Sequence, residues 1–190
     1  ASNNVAVGND ALKANTTGTQ NAALGAYALD AATTADGNTG IGYFALSATT
    51  TGGNNTAVGN QSLGANTTGT QNVSVGSEAL DANTTASNNV GIGHQALTDN
   101  TTGGGNIAIG VTALANNTTA SDNIAIGAET LLANTTGTRN IGIGSNALDA
   151  NTTADDNIAI GAASLGANTT GHSNTSVGTY SLDANTTANS

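Results

Sequence analysis

The sequence predicts an all-β protein, a parallel β-solenoid or β-roll of eleven coils of 17 residues that fills residues 1–190 as a single array. Three observations carry that expectation. The first is a fixed period: Asn stands at Asn4, Asn21, Asn38, Asn55, Asn72, Asn89, Asn106, Asn123, Asn140, Asn157 and Asn174, always 17 residues apart and without an insertion. The second is column identity. With that Asn as position 0, position 4 is Gly, position 8 is Leu and positions 12 and 13 are Thr-Thr in all eleven units, and position 3 is always Val, Ile or Leu. The third is the placement of charge. All twelve carboxylates fall at positions 6, 9, 10, 15 and 16, and Lys13 and Arg139 fall at positions 9 and 16.

A short period held over many units is the mark of a solenoid. A helical repeat needs two helices per unit, and its shortest forms run to about 33 residues. Gly, Asn and Thr, which fill much of each unit, are also poor in helix interiors. Each element of the unit then has an expected role. The position-0 Asn column stacks as an amide ladder. Positions 1 to 3 form a strand, since in "NIAIG" Ile107 and Ile109 share one face and Ala108 takes the other. Gly at position 4 closes it. A second extended piece is expected near Ala113-Leu114 and a third at Thr-Thr, whose hydroxyls form ladders of their own. With no Trp, Met, Cys or Pro, one Phe and three Tyr, the core must be thin and made of Val, Ile, Leu and Ala. Because a buried unpaired charge is costly, the charge-free positions read as the inward ones. Position 2 holds only Ala, Gly or Ser, which reads as a face that another backbone approaches closely, as in self-association about an axis parallel to the rod. Stacking at ~4.8 Å per coil gives a rod about 50 Å long.

Composition also limits the partners. A net charge of −10 with two basic residues disfavours nucleic acid and anionic membrane. No apolar run approaches the ~18 residues that cross a bilayer, so membrane insertion is not expected. No secretory leader is visible, so one is absent or already removed. No capping unit is visible either, so the chain reads as an excerpt of a longer array or as a unit that stacks end to end.

Few residues offer chemistry. His94 and His172 lie at positions 5 and 15, more than four coils apart, and cannot share a metal or a catalytic dyad. Asp155-Asp156 reads as a solvated acidic patch rather than a Ca²⁺ site. No catalytic residue, metal ligand or cofactor is assigned, and the chain does not read as an enzyme. Tyr27 and Phe44 share position 6 in consecutive coils and Tyr43 adjoins Phe44, so the three form an outer aromatic patch. That patch suits cross-coil packing first and a glycan or protein ligand second. The Thr rows suit turn-stabilising ladders first and ice binding second. "N-T-T" occurs at Asn15, Asn66, Asn83, Asn100, Asn117, Asn134, Asn151, Asn168 and Asn185, each a glycosylation acceptor if the protein is archaeal or eukaryotic.

The phrases "NNVAVG", "NIAIG" and "NIGIG" resemble the head repeats of YadA-type trimeric autotransporter adhesins, and similar arrays occur in tail-fibre-like proteins of bacteriophages. The resemblance covers essentially the whole chain, although the unit here is longer and adds the fixed Leu and Thr-Thr. It implies a left-handed, homotrimeric β-roll outside a cell or on a virion, with a host-surface glycan or protein as a possible partner. The expected function is a structural segment of an extracellular fibre or adhesin-like appendage that gives reach and stiffness. The alternative is a binding module, using the Thr columns for ice or Tyr27, Tyr43 and Phe44 for glycan.

Overall fold

Eleven three-residue strands appear in a computed structural model that describes residues 1–189. They are β1 (Val5–Val7), β2 (Ala22–Leu24), β3 (Thr39–Ile41), β4 (Thr56–Val58), β5 (Val73–Val75), β6 (Val90–Ile92), β7 (Ile107–Ile109), β8 (Ile124–Ile126), β9 (Ile141–Ile143), β10 (Ile158–Ile160) and β11 (Thr175–Val177). They lie in one parallel sheet in strict chain order. Val5 pairs with Ala22 and Ile107 with Ile124, so each residue stacks on its counterpart in the next repeat. The chain is thus a β-solenoid, and there is no helix among the described residues.

The strand side chains point the opposite way from the sequence expectation. Position 2 faces in: Ala23, Ala57, Ala108, Ala125 and Ala159 are buried. Positions 1 and 3 face out, and Val7, Leu24, Ile92 and Ile126 are among the exposed apolar residues. The inward core is the Leu column from Leu12 to Leu165, together with Ala and Asn. A strand alternates strictly, so one small inner residue per turn leaves room for Leu to reach it from across the coil. The small-residue rule at position 2 is therefore an internal one. A Cβ on Gly40 would stand 3.2 Å from the Ala45 carbonyl oxygen and 3.4 Å from Leu29 Cδ1. Position 7 of one repeat also meets position 2 of the next. Ser62 Oγ lies 2.7 Å from Ser74 Oγ, and Ser164 Oγ lies 2.8 Å from Ser176 Oγ. Where position 7 is Thr130, the next repeat has Gly142, whose added Cβ would be 2.6 Å from the Thr130 methyl. No second chain is needed to explain this column.

The region around Leu forms no strand. Instead, positions 6 and 8 adopt positive φ in every repeat, for example Glu78 at 58° and Leu80 at 52°. The left-handed conformation costs a non-glycine residue roughly 1–2 kcal/mol. Burying the Leu side chain returns about 1.5–3 kcal/mol. The geometry also turns the peptide groups along the rod: Leu80 N donates to Ala96 O in the following repeat, while Glu78 N donates to Asn60 O in the preceding one. Position 4 must be Gly twice over. Its φ lies at 139° in Gly76 and Gly110, and a Cβ on Gly76 would collide with the Gly93 carbonyl.

Two Asn columns close the cross-section. At position 0, Asn55 Oδ1 accepts from the Asn72 backbone N at 3.0 Å, and Asn55 Nδ2 donates to Gly69 O at 2.9 Å. At position 11, side chain bonds side chain: Asn117 Nδ2 donates to Asn100 Oδ1 at 2.9 Å and to Ala120 O at 3.0 Å. Asn supplies a donor and an acceptor in a short neutral group, which lets it be buried with its polar atoms paired. Thr at position 12 donates its hydroxyl to the Thr carbonyl one repeat on, as Thr101 does to Thr118 at 2.9 Å, in line with the expected hydroxyl ladder.

A longer rhythm overlies the repeat. Position 14 is always Gly or Ala, and no two Ala-bearing repeats adjoin. In each repeat that precedes an Ala-bearing one, the position-15 amide donates to the next position-15 side chain. The pairs are Thr19 to Asp36, Thr70 to Ser87, Gly104 to Ser121, Thr138 to Asp155 and His172 to Asn189. These Asp, Ser and Asn residues look like free surface variation in the sequence and are in fact backbone caps.

Candidate functional site

One continuous surface feature is the outer face of the sheet. Positions 1 and 3 set two columns of mostly branched aliphatic side chains along the whole rod. Val5, Val7, Leu24, Ile41, Val73, Val75, Ile92, Ile126, Ile160 and Val177 are all exposed. No charged residue occupies positions 1 to 5 in any repeat. The equation of uncharged with buried therefore fails here: positions 1, 3 and 13 are free of charge and still face solvent.

The aromatic patch forms as the sequence suggests. Tyr27 and Phe44 stack with centroids 4.8 Å apart and planes 13° apart. Tyr43 is perpendicular to Phe44 at 4.5 Å and tilted 80° to Tyr27 at 6.2 Å. The three centroids form a nearly right-angled triangle with Phe44 at the corner, so Tyr43 stands beside the stack and not over its end. It is 52% exposed, and neither Tyr27 nor Tyr43 uses its hydroxyl in a hydrogen bond among the described residues.

The Thr rows separate. From Thr33 to Thr169 position 12 is half-buried with its hydroxyl engaged, Thr16 and Thr186 near the two ends are exposed, and position 13, from Thr17 to Thr187, is exposed throughout. Only the position-13 column of Thr side chains is therefore fully presented to water along the rod. The sequon residues lie elsewhere. Asn66, Asn83, Asn100, Asn117, Asn134, Asn151 and Asn168 are fully buried, and Asn15 and Asn185 are partly so. Their Nδ2 atoms, the atoms a glycan would join, donate inside the coil: Asn83 Nδ2 to Asn66 Oδ1 and Ala86 O, and Asn15 Nδ2 to Gly18 O. In the folded rod these nine residues are structural. The ladder they form is the feature that sequence reading missed. Its signal was present, since position 11 never carries a charge.

The carboxylates divide by environment. Asp30, Asp81 and Asp149, at position 9, are held above the usual carboxylate range by burial. Asp36 is held below it by hydrogen bonds from the Thr19 amide and hydroxyl. Asp156 is held below it by the Arg139 fork, with Nε at 2.6 Å and Nη2 at 2.9 Å. Asp155 Oδ1 accepts from Thr138, so Asp155 and Asp156 are both engaged within the chain. His94 and His172 are exposed and separate, and His172 Nδ1 accepts from the Asp155 amide at 2.9 Å. No group of three or more His, Cys, Asp or Glu is placed to hold a metal among the described residues.

Comparison with protein-family models, with curated proteins and with solved structures finds no match to the chain.

Proposed function

We propose that the chain is a structural rod that associates side by side, as a left-handed homotrimeric segment of an extracellular fibre or adhesin-like appendage on a cell or virion surface. The single observation that supports this is the uncharged outer sheet face, with Val, Ile or Leu at every position 3 and Val or Ile at most of position 1. Strand geometry makes that face about 10 Å wide and about 48 Å long, an apolar strip of roughly 500 Å². Monomeric proteins seldom expose more contiguous apolar surface than that without using it. Joining two such faces removes about 1,000 Å², the lower range of specific interfaces. A rod axis shared by all copies lets every repeat meet an equivalent one. Reach and stiffness follow from hydrogen bonds repeated along the axis, and no step of this reading needs a cofactor.

Sedimentation equilibrium tests the reading against the 18.2 kDa chain mass. A species of three chains is expected at micromolar concentration, and Ile92→Lys with Ile126→Lys should return it to single chains with an unchanged β-type circular dichroism spectrum. A wild-type protein that stays monomeric at these concentrations would remove the association from the proposal.

A further inference from the structure

The structure assigns a second activity to this rod, independent of its association: Tyr43 is a stacking platform for a neutral carbohydrate. Aromatic residues number four in 190, and three of them converge on two adjacent repeats. The Tyr27–Phe44 stack alone is sufficient as cross-repeat packing, since each ring covers a face of the other. Tyr43 adds a third ring that stands beside that stack, perpendicular to both members and half in solvent. A ring held by two others and half in solvent presents a rigid apolar surface, and a pyranose offers a matching plane of C–H groups.

The neighbourhood supplies polar partners. Asn60 occupies position 5 one repeat beyond Tyr43, about 4.8 Å along the rod. Its Nδ2 donates to Gln61 Oε1 at 3.4 Å, leaving the Asn60 carbonyl and the Gln61 amide for sugar hydroxyls. On the opposite side, position 5 is Ala26, a smaller side chain than Asn60. Asp10 and Asp30 lie in the two preceding repeats and the chain carries −10 overall, which disfavours sulfated or uronic-acid polymers. The ligand class is therefore a neutral oligosaccharide.

Affinity electrophoresis in native gels containing soluble starch, galactan, mannan, xylan or polygalacturonate tests this. At least one neutral polymer should retard the protein. Tyr43→Ala should weaken that retardation by at least about tenfold, the order expected for removing one stacked ring. Tyr180→Ala, which removes a tyrosine far from the patch, should leave it unchanged. Tyr43→Ala is compatible with the fold because position 5 is already Ala at Ala26, Ala128 and Ala162, and unchanged circular dichroism verifies this. Retardation by no neutral polymer, by polygalacturonate alone, or equally in wild type and Tyr43→Ala would each overturn the assignment. None of these results bears on the chain's mass in solution, which tests the rod reading separately.

Discussion

The repeats that carry β2 to β4 share their backbone register with those that carry β6 to β10, yet they dress it differently. In the later set both outward positions are Val or Ile, from Val90 and Ile92 to Ile158 and Ile160. In the earlier set position 1 is Ala22, Thr39 and Thr56. The inner amide ladder differs too. From Asn66 to Asn185 it is continuous, but in the earlier repeats position 11 holds Ala32 and Thr49. Ala32 has no side-chain amide to offer, and Asn15 Oδ1 is left buried without a partner among the described residues. The aromatic cluster lies in this same stretch. The later repeats are thus the regular, cohesive part of the rod, and the departures from consensus gather near its beginning.

The largest change to this contrast should come from breaking the continuous ladder. Asn117→Ala removes two donor bonds and one acceptor, leaving Asn100 Oδ1 and the Asn134 amide short of partners. A loss of about 2–4 kcal/mol is expected in urea unfolding, since each stranded buried group costs on the order of 1–3 kcal/mol. A loss near zero would show that water substitutes freely in the ladder.

The reverse change should repair the earlier stretch. In Ala32→Asn the new amide can donate to Asn15 Oδ1 and accept from the Thr49 hydroxyl. The expected gain is about 1 kcal/mol. Destabilisation would mean that the turn around position 32 has closed over the smaller side chain.

The smallest effect separates two kinds of carboxylate. Burial raises the folded-state pKa of Asp81 above its unfolded value, so the folded state binds more protons between those two values. Stability is therefore highest below the ordinary carboxylate pKa and falls as pH rises through the raised one. Asp81→Asn should stabilise by less than about 1 kcal/mol near pH 7 and have no effect near pH 3. Asp36 has the opposite sign. Its pKa is lowered, so its contribution is present above the unfolded value and disappears as pH falls through the lowered one. Equal pH profiles for wild type and Asp81→Asn would refute the burial argument.

The solenoid itself was legible because a 17-residue period leaves no room for two helices, and because columns of identical residues imply identical surroundings. The aromatic cluster was legible for the same reason, since stacking places position 6 of consecutive repeats side by side. Facing was less legible. An alternation such as Ile107-Ala108-Ile109 fixes that two faces exist and does not say which one is inside. The usual rule puts the larger aliphatics inside, and here a Leu takes that space and restricts position 2 to a small residue, as at Gly91, where an added Cβ would stand 3.1 Å from Leu80 Cγ.

By itself, then, the sequence determined the architecture, the stacking register and the columns that must match from one repeat to the next, because those follow from periodicity. Tertiary structure alone decided which columns are core, wall and surface. It placed Leu at positive φ, drew the sequon Asn inward and left the Ile columns in water. The physical reason is that burial in a one-residue-thick wall depends on how the chain closes around itself, and that closure rests on left-handed residues whose identity, Leu or Glu or Tyr, gives no local sign of the conformation.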